Sequence, residues 1–160
     1  MFCLTPGLDI ELRSDENHEQ VFRLWEATPL QYLKRLRLQN LLVPGIVRLE
    51  GVVMDGDQLA IVTSQPQLEI SSVEQEVIED WFKGKGFFKV TDSGYYREAD
   101  NIAVFDAHDK NVVRSGNELI PFDVIPCHPS ENFLSFIQDA VAKGEKLRAV
   151  KNSGTRSRRG

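Results

Sequence analysis

One stretch of the chain can be delimited as a helix from its end signals alone, and everything around it reads as short strands. Thr28-Pro29-Leu30-Gln31 supplies a capping residue, a proline suited to the first helical position and a glutamine that completes a capping box, and Pro44-Gly45 stops the helix. Between these signals Leu30, Leu33, Leu36, Leu41 and Leu42 form an apolar stripe, with Lys34, Arg35 and Arg37 expected to face solvent. Upstream, Leu8, Ile10 and Leu12 alternate with Asp9, Glu11 and Arg13, and a second β-rich run follows at Gln20 to Trp25, which predicts a hairpin. Downstream, Ile46 to Val53 and Gln58 to Thr63 flank Asp55-Gly56, a pair suited to the positive backbone angles of a tight turn. Four strands and one helix in the first 63 residues predict an α+β arrangement rather than alternating βαβ units.

Ser64-Gln65-Pro66-Gln67 has the composition of an extended connector. After Ser71 and Ser72, a helical pattern carrying Val73, Val77, Ile78, Trp81 and Phe82 ends at Gly84-Lys85-Gly86. Short strands are expected at Phe87 to Val90, Tyr95-Tyr96, Ile102 to Phe105, Val112 to Arg114 and Leu119 to Phe122, and a last helix from Ser130 to about Lys143. The aromatic cluster of Trp81, Phe82, Phe87, Phe88, Tyr95 and Tyr96 has the spacing of a core. The organisation read in this way is a β-rich part over 1–63, a connector over 64–70, a second α+β part over 71–143 and a basic tail over 144–160.

With 160 residues, 27% of them charged and 41% hydrophobic, the chain suits one core or two small lobes sharing one. The formal charge of −5 is unevenly spread: from Lys143 on, seven basic residues face only Glu145, and the remainder, with 12 basic and 23 acidic residues, carries −11. Such a body repels a phosphate backbone, so nucleic-acid contact is expected only through the tail. Cys3 and Cys127 form no CxxC or Cys/His spacing, which excludes a zinc module and a disulfide scaffold and favours a reducing cytoplasm. No apolar run reaches 18 residues and Met1 to Gly7 has no leader pattern, so neither membrane insertion nor secretion is expected.

The densest polar group is Asp106-Ala107-His108-Asp109-Lys110-Asn111, held between the apolar runs Ile102 to Phe105 and Val112-Val113. Asp123 emerges from another apolar run, Leu119 to Phe122. If the last two strands pair, Asn111 and Asp123 share one edge, and an amide oxygen beside a carboxylate suits Mg²⁺ carrying phosphates better than zinc.

This spacing resembles the catalytic loop of protein kinases and of the aminoglycoside and choline kinase-like phosphotransferases: an Asp, a His two residues on, an Asn five residues on and a metal-binding Asp about a dozen later. Together with Val47 to Val53, Ile61 to Gln65, Tyr95-Tyr96 and Val104 to Pro126, it is most similar to the kinase-like domain of polyvalent proteins of phages and conjugative elements. The resemblance implies a minimal or truncated protein kinase-like fold, with a small β-rich N-lobe carrying one helix and a reduced C-lobe. It implies ATP and Mg²⁺ as cofactors, a nucleotide as ligand and a protein or small molecule as phosphate acceptor. By it, Asp106 would orient the acceptor hydroxyl, His108 would brace the loop, and Asn111 and Asp123 would hold the metal. Arg23 would stand near the nucleotide phosphates, and Thr63 and Gln65 at the hinge would meet the base.

The departures are as definite. Gly7 is the only glycine in the first 44 residues, so no Gly-rich phosphate loop is present there. Arg23 stands where a kinase places its Lys, and the helix expected to carry a partner Glu has no carboxylate. Asp123-Val124-Ile125-Pro126 replaces Asp-Phe-Gly, and too little sequence follows for an activation segment and the large-lobe helices. These gaps leave two further readings: a pseudokinase-like interaction module without catalysis, and a metal-dependent phosphoester hydrolase using Asp106, His108, Asp109 and Asp123. Cys127-His128 reads as a loop passing near the core.

Overall fold

The computed structural model describes residues 2–4, 8–14, 20–68 and 71–143. The basic tail expected over 144–160 lies outside them, as does most of the first polar turn. Two antiparallel sheets build the first part. β2 (Leu8–Ser14) and β3 (Gln20–Glu26) form the first expected hairpin. β4 (Arg48–Asp55) and β5 (Gln58–Ser64) form the second, turning at Gly56 with φ 62°, and β1 (Phe2–Leu4) adds to the other edge of β5. Helix α1 (Pro29–Leu42) lies between them in the chain, with its capping box complete: Gln31 N–H donates to Thr28 Oγ1 at 3.3 Å and Thr28 N–H to Gln31 Oε1 at 2.8 Å. Its exit is held by Asn40, whose amide exchanges two hydrogen bonds with the Val47 backbone.

The face that α1 buries takes in Leu33, Leu36 and Leu42 of the expected stripe but not Leu30 or Leu41. Tyr32, Leu36, Leu38, Gln39 and Leu42 are buried, whereas Leu30 and Leu41 are 62% and 59% exposed. Arg35, expected outward, turns inward and its side chain is only 10% exposed. The reason is a polar requirement. Gln39 Nε2 donates to the carbonyls of Pro121, at 3.4 Å, and Phe122, and Arg35 Nε donates to Val124 O at 3.2 Å. Buried main-chain acceptors need partners, and α1 rotates to provide them.

In the second part, α2 (Gln75–Gly84) begins later than expected. Glu74, not Ser71 or Ser72, is the N-cap, and Val73 is buried ahead of the helix. A four-stranded antiparallel sheet runs in the order β11-β8-β7-β6, from β6 (Phe88–Thr91), β7 (Gly94–Arg97), β8 (Ile102–Phe105) and β11 (Ile125–Cys127). β9 (Val112–Ser115) and β10 (Glu118–Pro121) form the expected hairpin. β11 corrects the reading of Cys127 as loop, since Cys127 pairs with Ala103; His128 follows the strand as loop, its Nδ1 bonding the Asn101 carbonyl at 2.8 Å. Pro126 is tolerated because β11 is an edge strand. Helix α3 (Glu131–Lys143) starts after Ser130, as expected, and packs Phe133 and Ile137 against Val90, Tyr96, Phe105 and Ile125. The expected aromatic core forms except at Phe88, which is 41% exposed, with Phe82 stacked on Tyr95 at 4.2 Å and edge-on to Phe87.

The largest core cluster joins the two parts, since Leu38 and Leu42 of α1 pack with Ile78, Phe82, Tyr95, Val104, Val112, Leu119 and Val124. Among the described residues no helix is long and apolar enough to cross a membrane.

Two stability predictions follow from this packing. A Cβ on Gly94 would lie 2.4 Å from Thr91 Oγ1 and 2.9 Å from the Phe105 ring, so Gly94→Ala should destabilise the fold by about 1–3 kcal/mol in urea denaturation. Gln39→Leu, which leaves the carbonyls at 121 and 122 without that donor, should cost about 1–3 kcal/mol in the same measurement.

Candidate active site

Two antiparallel pairings bring the polar segments together. The chain leaves β8 into residues 106–111, runs out along β9, returns along β10, passes 122–124 and comes back beside β8 as β11. Phe105 is registered with Ile125 and Val112 with Pro121, so both polar segments emerge at the same end. The Phe122 and Asp123 N–H groups donate to the Asn111 carbonyl at 3.0 and 3.4 Å, which joins the segments directly. The shared edge expected for Asn111 and Asp123 is therefore present.

Within the first segment the side chains interlock around Asp106. Asn111 Nδ2 donates to Asp106 Oδ2 at 2.9 Å and to the Asp106 carbonyl at 2.8 Å. The Lys110 N–H donates to His108 Nδ1 at 3.1 Å. His108 Nε2 lies 3.3 Å from both Asp106 Oδ1 and Asn111 Nδ2, so the imidazole sits against the Asp106–Asn111 pair. Asp106 itself adopts a left-handed conformation, φ 58°, which Asp tolerates better than most residues. Two outside elements hold the loop: Ala107 N–H donates to Ser93 O at 2.9 Å, and Gln75 Nε2, at the start of α2, donates to Ala107 O and Tyr95 Oη, both at 3.2 Å. Burial raises the Tyr95 hydroxyl above its ordinary pKa, against the lowering effect of the Gln75 bond, so it remains neutral.

The second segment is gripped by α1. Arg35 Nη2 donates to Asp123 Oδ1 at 3.0 Å. Asp123 is nevertheless 64% exposed, and among the described residues neither Asp123 Oδ2 nor Asn111 Oδ1 has a hydrogen-bond partner. Asn111 commits its nitrogen to Asp106, which leaves its oxygen as the available donor atom. One amide and one carboxylate oxygen fit a hard divalent cation that keeps waters and takes its remaining ligands from phosphates. Among the described residues no three His, Cys, Asp or Glu side chains converge on a metal position, so the four-residue hydrolase centre is not assembled.

The structure thus gathers Asp106, His108, Asn111 and Asp123. The residues expected near the nucleotide stand on other elements: Thr63 is buried in β5, Gln65 follows that strand half-buried, and Arg23 pairs through its backbone with Glu11 in the β2–β3 hairpin, its side chain lying outside the described residues. Arg35, Gln39 and Gln75 were not singled out by sequence reasoning. The available signal for the first two was a pair of polar residues four apart, inside the face marked by Tyr32, Leu36 and Leu42.

The left-handed backbone at Asp106 has a measurable consequence. Asp106→Ala and Asp106→Gly both lose the side-chain bonds, but only Ala retains a Cβ at φ 58°. Asp106→Gly should therefore be more stable than Asp106→Ala by about 1 kcal/mol in chemical denaturation, reversing the usual Ala over Gly order.

Searches of the curated proteins and of the solved structures find no match to the chain. Residues 15–126, running through the entire site and into β11, match the family described as Serine/Threonine/Tyrosine Kinase found in polyvalent proteins. That match spans well over half of the sequence, and with the site's interlocked Asp, His and Asn it identifies the chain as a kinase-like domain belonging to this family.

Proposed function

We propose that this kinase-like domain binds ATP with Mg²⁺ at the end of the β8–β11 circuit and directs the terminal phosphate to a hydroxyl acceptor. The observation that carries this reading is the joint placement of Asp106, His108, Asn111 and Asp123 by two strand pairings and two main-chain bonds. Bound Mg²⁺ would neutralise charge on the phosphates. Asn111 Oδ1 and Asp123 Oδ2 would hold it. Asp106, oriented by Asn111 Nδ2 and with His108 packed beside it, accepts the proton of the incoming hydroxyl. Positioning of this kind suits phosphoryl transfer, where the protein contributes orientation and charge more than covalent chemistry. Thr63 and Gln65 are the proposed contacts to the base, and Arg23 to the phosphates.

A second reading, a kinase-like scaffold kept for protein interaction, draws support from the β4–β5 hairpin. Leu49, Val52, Val53, Met54 and Leu59 are all exposed on it, an apolar concentration that monomeric surfaces seldom carry without a partner.

Thermal unfolding with ATP and Mg²⁺ separates the two. At ATP ten times above Kd, binding to the folded state adds about 1.4 kcal/mol, a rise of roughly 3–6 °C in Tm for a domain of this size. Asp123→Ala should abolish the Mg²⁺-dependent part of the rise. Asp106→Asn should keep the rise and lower phosphate transfer, followed with radiolabelled ATP, by about 100-fold or more. No rise at millimolar ATP and Mg²⁺ would eliminate the catalytic reading and leave the scaffold.

A further inference from the structure

We infer that Arg35 is a positioning residue for the metal: through it, helix α1 sets the orientation of the carboxylate that the divalent cation meets. The inference rests on the proposed metal site. Arg35 grips one segment at two points, with Nε on the Val124 carbonyl at 3.2 Å and Nη2 on Asp123 Oδ1 at 3.0 Å. A planar fork holding a backbone oxygen and the preceding side chain together ties the Asp123 rotamer to its own main chain, which a point-charge lysine does not do. The exposures divide the labour. The guanidinium is 10% exposed and the carboxylate 64%, so the cation is the buried anchor and the carboxylate the group offered to solvent. An Asp of that exposure with no such anchor would sample several rotamers. Gln39, one turn further along α1, bonds the carbonyls at 121 and 122, so the helix holds the whole stretch leading into Asp123.

Positioning and competition predict opposite signs. If Arg35 orients Asp123, its loss weakens metal binding, as removal of groups that orient metal ligands does, by about 10-fold. If Arg35 merely occupies Asp123 in place of metal, its loss strengthens binding. The quantity to measure on the full chain is the ratio of ATP dissociation constants without and with Mg²⁺, by calorimetry, for the wild type, Arg35→Met and Arg35→Lys. Arg35→Met should reduce that ratio about 10-fold while leaving the metal-free ATP affinity within about two-fold, a split that general loss of structure would not produce. Arg35→Lys, which keeps the charge without the fork, should fall between, and it carries the test should Arg35→Met fail to fold. A wild-type ratio well above one with unchanged or larger ratios in the variants overturns the role of Arg35 alone. A wild-type ratio of one overturns the metal site and this inference together.

Discussion

Residues 121–124 close β10 and lead into β11, and in that passage the carbonyls of Pro121, Phe122 and Val124 all receive side-chain donors from one helix. Unsatisfied main-chain oxygens in such a place are costly, so α1 is constrained to present Arg35 and Gln39 there whatever the distribution of its leucines. Gln39 is 2% exposed, and a buried amide is stable only because it is bonded. This polar clasp fixes the rotation of α1, seats Leu38 and Leu42 in the core shared with α2 and the sheet, and fixes the approach to Asp123. Fold and site therefore depend on the same few bonds.

The site is otherwise a consequence of closure. β8 and β11 are neighbours in the sheet, and the chain between them makes one hairpin excursion through β9 and β10. Any such circuit returns its two connecting segments to one end, and here those segments carry the four side chains proposed to meet the metal and the acceptor hydroxyl. α3 stands beyond the residues that match the family, yet Phe133 stacks on Phe105, the residue before Asp106, at 5.6 Å. The strand that delivers Asp106 is thus packed from behind by an element that the family match does not include.

Much of this was legible locally. The ends of α1, the Asp55-Gly56 turn, the β9–β10 hairpin and the spacing of Asp106, His108 and Asn111 depend on residues a few positions apart, and the structure contains them as expected. The start of α2 was misplaced because two serines offered a cap that the backbone does not use. β11 was hidden because Pro126 argues against a strand unless its position at the sheet edge is known. The burial of Arg35 was hidden for a related reason: hydrophobicity ranks a residue by its own side chain, whereas Arg35 is drawn inward by acceptors almost ninety residues away.

By itself the sequence determined the kinds of local structure and the one polar pattern dense enough to carry chemistry, since turn chemistry, capping and residue spacing act over a few bonds. It also marked what the N-terminal part lacks, a Gly-rich loop and a helical carboxylate. Only the tertiary structure decided which face α1 buries, that the chain after Asp123 pairs with the strand before Asp106, and that an arginine from α1 meets the candidate metal ligand. Those features arise from pairing main-chain and charged groups distant in sequence, and such pairing is decided when the whole chain has closed upon itself.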